Sequence, residues 1–71
     1  MIKKWFKLKR NNIALVQFIV EGYEGMATVT TMDSHAAIIQ IAIMPAFVQE
    51  IAGVIESLKN KYQLEEIECL K

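Results

Sequence analysis

Cysteine, proline and glycine are all scarce in this 71-residue sequence, and aromatic residues make up only 8% of it. The single cysteine, Cys69, excludes an internal disulfide, and a free thiol is typical of a protein in a reducing cytoplasm. We interpret Cys69 as a small buried apolar residue rather than as a nucleophile or redox sensor. A zinc site needs several nitrogen or sulfur ligands, and the only histidine, His35, has only Cys69 to join it. We therefore expect no metal and no cofactor.

Long apolar runs are missing as well. The run IALVQFIV covers residues 13–20 and contains Gln17, and no run approaches the roughly 20 residues that span a bilayer. A basic segment precedes this run, as in a signal peptide, but Glu21 follows it and no small-residue cleavage site is evident. We therefore expect neither membrane insertion nor secretion, and we expect the chain to reside in the cytoplasm.

Net charge is also absent, because eight basic and eight acidic residues balance. A neutral chain has no strong general field that attracts nucleic acid, so the overall charge does not favour this class of partner. The basic residues are nevertheless concentrated near the start of the chain. Five of the eight lie there: Lys3, Lys4, Lys7, Lys9 and Arg10.

The sequence does contain six short segments with clear periodicity. Residues 4–9, KWFKLK, alternate and place Phe6 and Leu8 on one face, which is typical of a strand with one buried face. Residues 46–62 carry one apolar stripe at helical spacing and follow Pro45, which suits the first turn of a helix. By the same criteria we predict strands over residues 4–9, 26–32, 36–44 and 64–70, and helices over residues 13–21 and 46–62.

This order of elements, β-α-β-β-α-β, predicts the fold. With right-handed crossovers it closes into a four-stranded antiparallel sheet with both helices on one face. We therefore predict a single α+β domain over residues 1–71, a ferredoxin-like two-layer sandwich. On the first helix we expect Leu15, Val16 and Ile19 to face the sheet. On the last strand we expect Ile67 and Cys69 to face inward.

The uneven charge has a structural explanation in this fold. Lys7 and Lys9 on the first strand can lie across from Glu66 and Glu68 on the open face of the sheet. Such cross-strand pairs contribute about 0.2–1 kcal/mol each.

One short segment, Asp33-Ser34-His35, has the residue types of a hydrolytic triad. Adjacent residues on a tight turn cannot form the line from nucleophile to base to carboxylate that a triad requires. We interpret the segment as the turn between the second and third strands, because Asp and Ser bond locally to nearby backbone.

The functional classes that share this fold leave signatures that are missing here. RNA-recognition modules stack bases on aromatic residues of the central strands, whereas residues 36–44 contain no aromatic and Trp5 would stand alone. Copper chaperones need a Cys-x-x-Cys loop. Acylphosphatases need an arginine within a glycine-rich loop after the first strand, where this chain has KRNN. We therefore expect that the protein is not an enzyme, although a fold alone does not settle function.

Residues 21–25, EGYEG, join the first helix to a threonine-rich strand. Together with MATVTTMD they resemble the E-x-Y-[DE]-G…T-x-D pattern of a small bacterial family described as a domain of unknown function (DUF4911). The resemblance covers nearly the whole chain and implies no substrate, cofactor or catalytic residue. The topology is also similar to that of ACT domains, which usually bind amino acids between subunits near a glycine after the first strand, and that glycine is missing here.

Two interpretations of this joint remain open. Either Glu21, Tyr23 and Glu24 border a ligand pocket at the end of the helix, or Tyr23 packs its ring at the edge of the core while the two acids are solvated. Gly22 or Gly25 can adopt the left-handed conformation that ends a helix.

Apolar residues make up 54% of the chain, which exceeds what a two-layer sandwich of this size can bury. We therefore expect a homo-oligomer, with a dimer favoured. The expected contact residues are Trp5, Leu15, Phe18, Val20, Ile38, Ala42 and Met44. The resulting hypothesis is a non-enzymatic homo-oligomeric binding or regulatory module. The ligand that this hypothesis considers is a small molecule. The alternatives are a nucleic-acid binder using the basic first strand with Trp5, and an enzyme acting on a small metabolite at Glu21, Tyr23 and His35.

Overall fold

The computed structural model describes residues 1–68 as a four-stranded antiparallel sheet with two helices packed on one face. The strands and helices are β1 Ile2–Lys7, α1 Ile13–Glu21, β2 Ala27–Asp33, β3 Ile38–Ile43, α2 Val48–Tyr62 and β4 Glu65–Ile67. The strand order is β2-β3-β1-β4, so β3 and β1 are central. The predicted ferredoxin-like α+β sandwich is confirmed.

Both helices follow a short 3-10 turn. Residues Arg10–Asn12 lead into α1, which has the predicted bounds, and Pro45–Phe47 lead into α2. Because Pro45 opens this tighter turn, α2 begins at Val48, two residues later than expected. Neither helix in the part of the chain that the structure describes is long and apolar enough to cross a membrane.

The core lies between the sheet and the helices. Its largest fully buried side chains are Phe6, Ile39, Ile41, Ile43, Ile51, Val16 and Val20. Phe6 and Leu8 point into this core, as the alternation of the first strand predicted. Ile39, Ile41 and Ile43 alternate along β3, so the central strand supplies one complete apolar face.

Helix α1 is rotated relative to the expectation. Val16 and Val20, one turn apart, are fully buried, whereas Ile19 is half-buried and Leu15 is 41% exposed. The expectation that Leu15 faces the sheet is therefore wrong. The reason is that α1 lies mainly against the edge strand β2, which draws the Val16–Val20 side of the helix inward.

The side chains of the last strand point to the faces of the sheet opposite to those predicted, because the strand is shifted by one residue. Ile67 pairs with Trp5 and lies on the open face, while Glu66 pairs with Phe6 and lies on the helical face. Leu64 sets this register, because Gln63 ends α2 in a left-handed conformation (φ 56°) and turns Leu64 into the core. A slip of one residue reverses every side chain of a strand.

The predicted charge pairs across the sheet are consequently wrong. Lys7 lies opposite Glu65, and Glu66 instead forms ion pairs with Lys4 at 3.4 Å and with Lys59 of α2 at 3.6 Å. The expected positions of Cys69 and of the end of the strand lie outside the described residues.

Candidate functional site

A groove of about 510 Å³ runs between α1 and α2 on the outer side of the helical layer. Its floor is apolar and includes Ile19 from α1 with Val54 and Leu58 from α2. Tyr23 and Tyr62 also line it. This volume lies within the range of roughly 300–1,000 Å³ that is typical of small-molecule sites. We call it the helix groove.

The glycine-flanked joint positions Tyr23 in the helix groove. At the end of α1 the Gly22 N–H donates to the Phe18 carbonyl at 3.1 Å, and the Tyr23 N–H donates to the Val20 carbonyl at 3.0 Å. Gly25 then adopts a positive φ of 78°, a conformation that a Cβ penalises, and the chain turns into β2. Gly25 is therefore the residue that reverses the chain, whereas Gly22 remains right-handed with φ −65°.

Gly53 widens the groove from the side of α2. A glycine inside a helix is less favourable than alanine by about 1 kcal/mol. A Cβ at Gly53 would have no atom within 4 Å, so packing within the protomer does not require a glycine there. The missing side chain instead leaves the backbone of α2 open to the helix groove.

The two ends of the helix groove carry opposite charges. Glu50 lies in the first turn of α2 and Lys61 in its last turn, separated by about 16 Å along the helix. The Lys61 Nζ lies 5.8 Å from the centroid of the Tyr62 ring, which is a cation–π distance. Ser57 adds a hydroxyl between the two ends. The arrangement suits an elongated amphipathic molecule with an anionic group near Lys61.

The structure brings only one of the three predicted ligand-binding residues to the groove. Tyr23 lines it and is 41% exposed. Glu21 and Glu24 do not line it, and Glu21 Oε2 accepts a hydrogen bond from Gln17 Nε2 at 3.4 Å on the exposed surface.

Sequence reasoning missed the part of the groove that α2 contributes. Val54, Leu58 and Tyr62 belong to the apolar stripe of residues 46–62, and each contacts the core while also lining the groove. The available signal was Gly53, a glycine in the middle of the most regular helical segment.

Six of the seven predicted contact residues divide into two groups. Phe18 is 78% exposed, and Leu15 and Met44 are each 41% exposed. Val20, Ile38 and Ala42 are buried in the protomer. Val20 is turned towards the sheet by the rotation of α1. Ile38 and Ala42 lie on the central strand β3, between neighbours on β2 and β1 that shield them. These three side chains therefore offer almost no surface to a partner.

The open face of the sheet has Trp5 at its centre. Trp5 is half-buried and lies between Gln40 of β3 and Ile67 of β4. Lys3 and Lys7 point to the same face from positions two residues away.

Asp33 is the last residue of β2, and the predicted turn begins after it at Ser34 and His35, one residue later than expected. Asp33 Oδ1 accepts hydrogen bonds from the His35 N–H at 2.9 Å and the Ala36 N–H at 3.0 Å. These bonds, that from Ala36 foremost, hold the pKa of Asp33 below its usual value. The carboxylate therefore orders the turn through backbone bonds. Within residues 1–68, no three His, Cys, Asp or Glu side chains are grouped as they would be to hold a metal ion.

Fold and site together define a small ferredoxin-like α+β domain with an amphipathic groove in its helical layer. The chain belongs to the family described as Domain of unknown function (DUF4911), whose family model matches residues 6–61. The match extends over the helix groove from Ile19 to Lys61, and Tyr62 follows it directly. No curated protein and no solved structure matches the chain.

Proposed function

We propose that the protein is a non-enzymatic, homo-oligomeric module that binds a small amphipathic ligand in the helix groove. The observation that carries this proposal is the groove itself, which combines an apolar floor with tyrosines and a charged group at each end. We also propose a cytoplasmic location, because a single cysteine without an internal partner is typical of a reducing compartment. The resemblance to the family suggests a bacterial origin.

The spacing of charges supports binding rather than catalysis. General acid and base groups must reach one reacting bond, at hydrogen-bond distance or through one water. Glu50 and Lys61 are about 16 Å apart along α2 and cannot share a bond in this way. They can instead orient a long molecule by its two ends.

Self-association is supported by the outer surface of α1. Phe18 is the most exposed large apolar side chain of the described residues, and Leu15 lies one turn before it. Contiguous exposed apolar surface is typical of contact sites, and Leu15 and Phe18 lie on the same side of the helix.

Native mass spectrometry of protein purified from its own host tests both parts of the proposal. It reports the number of subunits and the mass of any retained molecule in one experiment. We expect a dimer that carries a small ligand. A chain that is monomeric at every protein concentration measured and empty after gentle purification would contradict the proposal.

A fluorescent probe tests the location of the site. We expect 1-anilinonaphthalene-8-sulfonate, an apolar anion, to bind to the wild type and to lose at least tenfold in affinity in Gly53→Trp, because the indole would fill the helix groove. The matched control is Ala52→Trp, since Ala52 is exposed and does not line the groove. Circular dichroism checks that both variants fold. Equal probe binding by the two variants would place the site elsewhere.

The open face of the sheet supports a second candidate function, the binding of single-stranded nucleic acid. Trp5 could stack on a base while Lys3 and Lys7 contact phosphates, because all three share one face of the central strand. The zero net charge and the position of Glu65 opposite Lys7 count against it. Anisotropy of labelled single-stranded RNA and DNA at low salt tests this candidate. No change in anisotropy would exclude it, and binding that weakens with salt and in Trp5→Ala would support it.

A further inference from the structure

The charges at the ends of α1 are opposite to those that the helix dipole favours. Arg10 lies in the turn that leads into the helix, and Glu21 is its last residue. No acidic residue lies in the first turn and no basic residue in the last. Cations near a helix N-terminus and anions near its C-terminus are destabilising. Helix α2 shows the favourable order, with Glu50 in the first turn and Lys61 in the last.

The same helix exposes an apolar stripe. Phe18 is 78% exposed and Leu15 41%. Ala14 and Gly22, one turn before and one turn after Phe18, are exposed small residues. We call these four residues the outer face of α1. In an antiparallel pair of such helices, the large Phe18 of each copy can pack against a small residue, Ala14, of the other. The face is therefore complementary in shape to itself.

We propose that the outer face of α1 pairs with the same face of a second copy of this chain, antiparallel across a two-fold axis. This proposal rests on the self-association proposed above and names its surface. In an antiparallel pair, the N-terminal end of each helix dipole lies beside the C-terminal end of the other. The exposed Arg10 guanidinium, which donates to the His35 carbonyl at 3.4 Å in the protomer, turns from that weak bond to Glu21 of the other copy. The charges that are unfavourable in one protomer are therefore complementary between two.

The second copy is favoured over another occupant because charge and shape both match the helix itself. A two-fold contact uses the same patch twice, so it must be self-complementary. The outer face of α1 meets this requirement because Arg10 precedes it and Glu21 ends the helix, with Leu15 near the midpoint between them and Phe18 of each copy opposite Ala14 of the other. The nine residues of α1 span only about 14 Å, so the contact is small and we expect a dimer that dissociates on dilution and in high salt.

The first test removes the apolar centre of the contact. Sedimentation velocity measures the dimer dissociation constant of the wild type, of Phe18→Ser and of Met32→Ser. Met32 is the matched control, because it is 46% exposed but lies on β2. We expect at least a tenfold rise for Phe18→Ser and less than a twofold change for Met32→Ser. A wild type that never dimerises would overturn the proposed self-association. A dimer that Phe18→Ser leaves intact would overturn only the assignment to α1.

The second test exchanges the charges between copies. Arg10→Glu places two acids together in each contact, and Glu21→Arg places two bases together, so each variant alone should dimerise at least fivefold more weakly at low salt. An equimolar mixture should form heterodimers with near wild-type affinity, because Glu and Arg then face each other at both ends. Native mass spectrometry distinguishes the heterodimer by mass. A mixture that associates no better than either variant alone would overturn the antiparallel geometry.

Discussion

The two helices of this protein differ in how fully the protomer satisfies them. Helix α2 buries Ile51, Ile55 and Leu58 and carries charges that match its dipole. Helix α1 buries only Val16 and Val20, and its flanking charges oppose its dipole. The difference teaches that α2 is satisfied within the protomer, whereas α1 leaves apolar surface and unfavourable charges that the proposed pairing with a second copy would satisfy.

The largest expected effect contrasts a buried residue of α2 with the exposed phenylalanine of α1. Ile51→Ala should lower the free energy of unfolding by about 2–5 kcal/mol, because it leaves a cavity in the core. Phe18→Ala should change it by no more than about 0.5 kcal/mol, since this side chain is 78% exposed. Urea unfolding at concentrations where the chain is monomeric measures both. Comparable losses in the two variants would remove the distinction between the helices.

The ends of the two helices give the next largest effect. Gly25 follows α1 with φ 78°, and Gln63 ends α2 with φ 56°. Gly25→Ala should destabilise the fold by about 1–2 kcal/mol, because an L side chain disfavours this conformation. Gln63→Gly should stabilise the fold by about 0.5 kcal/mol. The relief of the left-handed strain at this position outweighs the opposing effect, which is the greater freedom of a glycine in the unfolded chain. Thermal unfolding with the two variants side by side measures the opposite signs. A loss of stability in Gln63→Gly would show that Gln63 contributes more than its backbone conformation.

The ion pairs of Glu66 give a smaller effect, and they join α2 and β1 to the last strand. Glu66 lies 3.6 Å from Lys59 of α2 and 3.4 Å from Lys4 of β1, and these side chains are partly exposed. Glu66→Gln should lower the free energy of unfolding by about 0.2–1 kcal/mol, and the loss should shrink in high salt. Glu56→Gln is a suitable control, because its carboxylate is more exposed and lies 3.7 Å from the same lysine. An effect of Glu66→Gln that salt leaves unchanged would contradict an electrostatic origin.

The smallest effect lies in the turn outside both helices. The pKa of Asp33 is lowered in the fold by the hydrogen bond from the Ala36 N–H, so its charge stabilises the fold above the unfolded pKa of about 3.9. This contribution is lost as pH falls through the lower, folded pKa. We therefore expect the stability difference between the wild type and Asp33→Asn to be present at neutral pH and to shrink in acid. Urea unfolding as a function of pH measures this, and a difference that grows in acid would contradict the assignment.

The sequence predicted the fold because the decisive patterns are local. The alternation at Phe6 and Leu8 and the stripe of α2 each specify one element, and their order leaves few topologies. The facing of the last strand was predicted wrongly, because its three residues, two exposed glutamates and a half-buried isoleucine, carry too weak a pattern. The left-handed Gln63 and the inward turn of Leu64 decide that register, and neither is visible as a periodicity.

Of the residues that line the helix groove, only Tyr23 was predicted as a ligand-binding residue. The glycines on either side marked the segment as a joint, and both interpretations of that joint stay predictions. The rest of the helix groove depends on how α1 and α2 lie relative to each other. The rotation that buries Val20 and exposes Leu15 follows from packing on β2, which a helical wheel cannot supply.

The most direct test of the central claim is a filtered nuclear Overhauser experiment on a mixture of carbon-labelled and unlabelled chains at near-millimolar concentration. Such a sample reports only contacts between different copies. The pairing of α1 predicts intermolecular contacts from the Phe18 ring to the Ala14 methyl group of the other copy. A sample that remains at the monomer mass of 8.1 kDa, or a dimer whose intermolecular contacts arise from the sheet and not from α1, would contradict it.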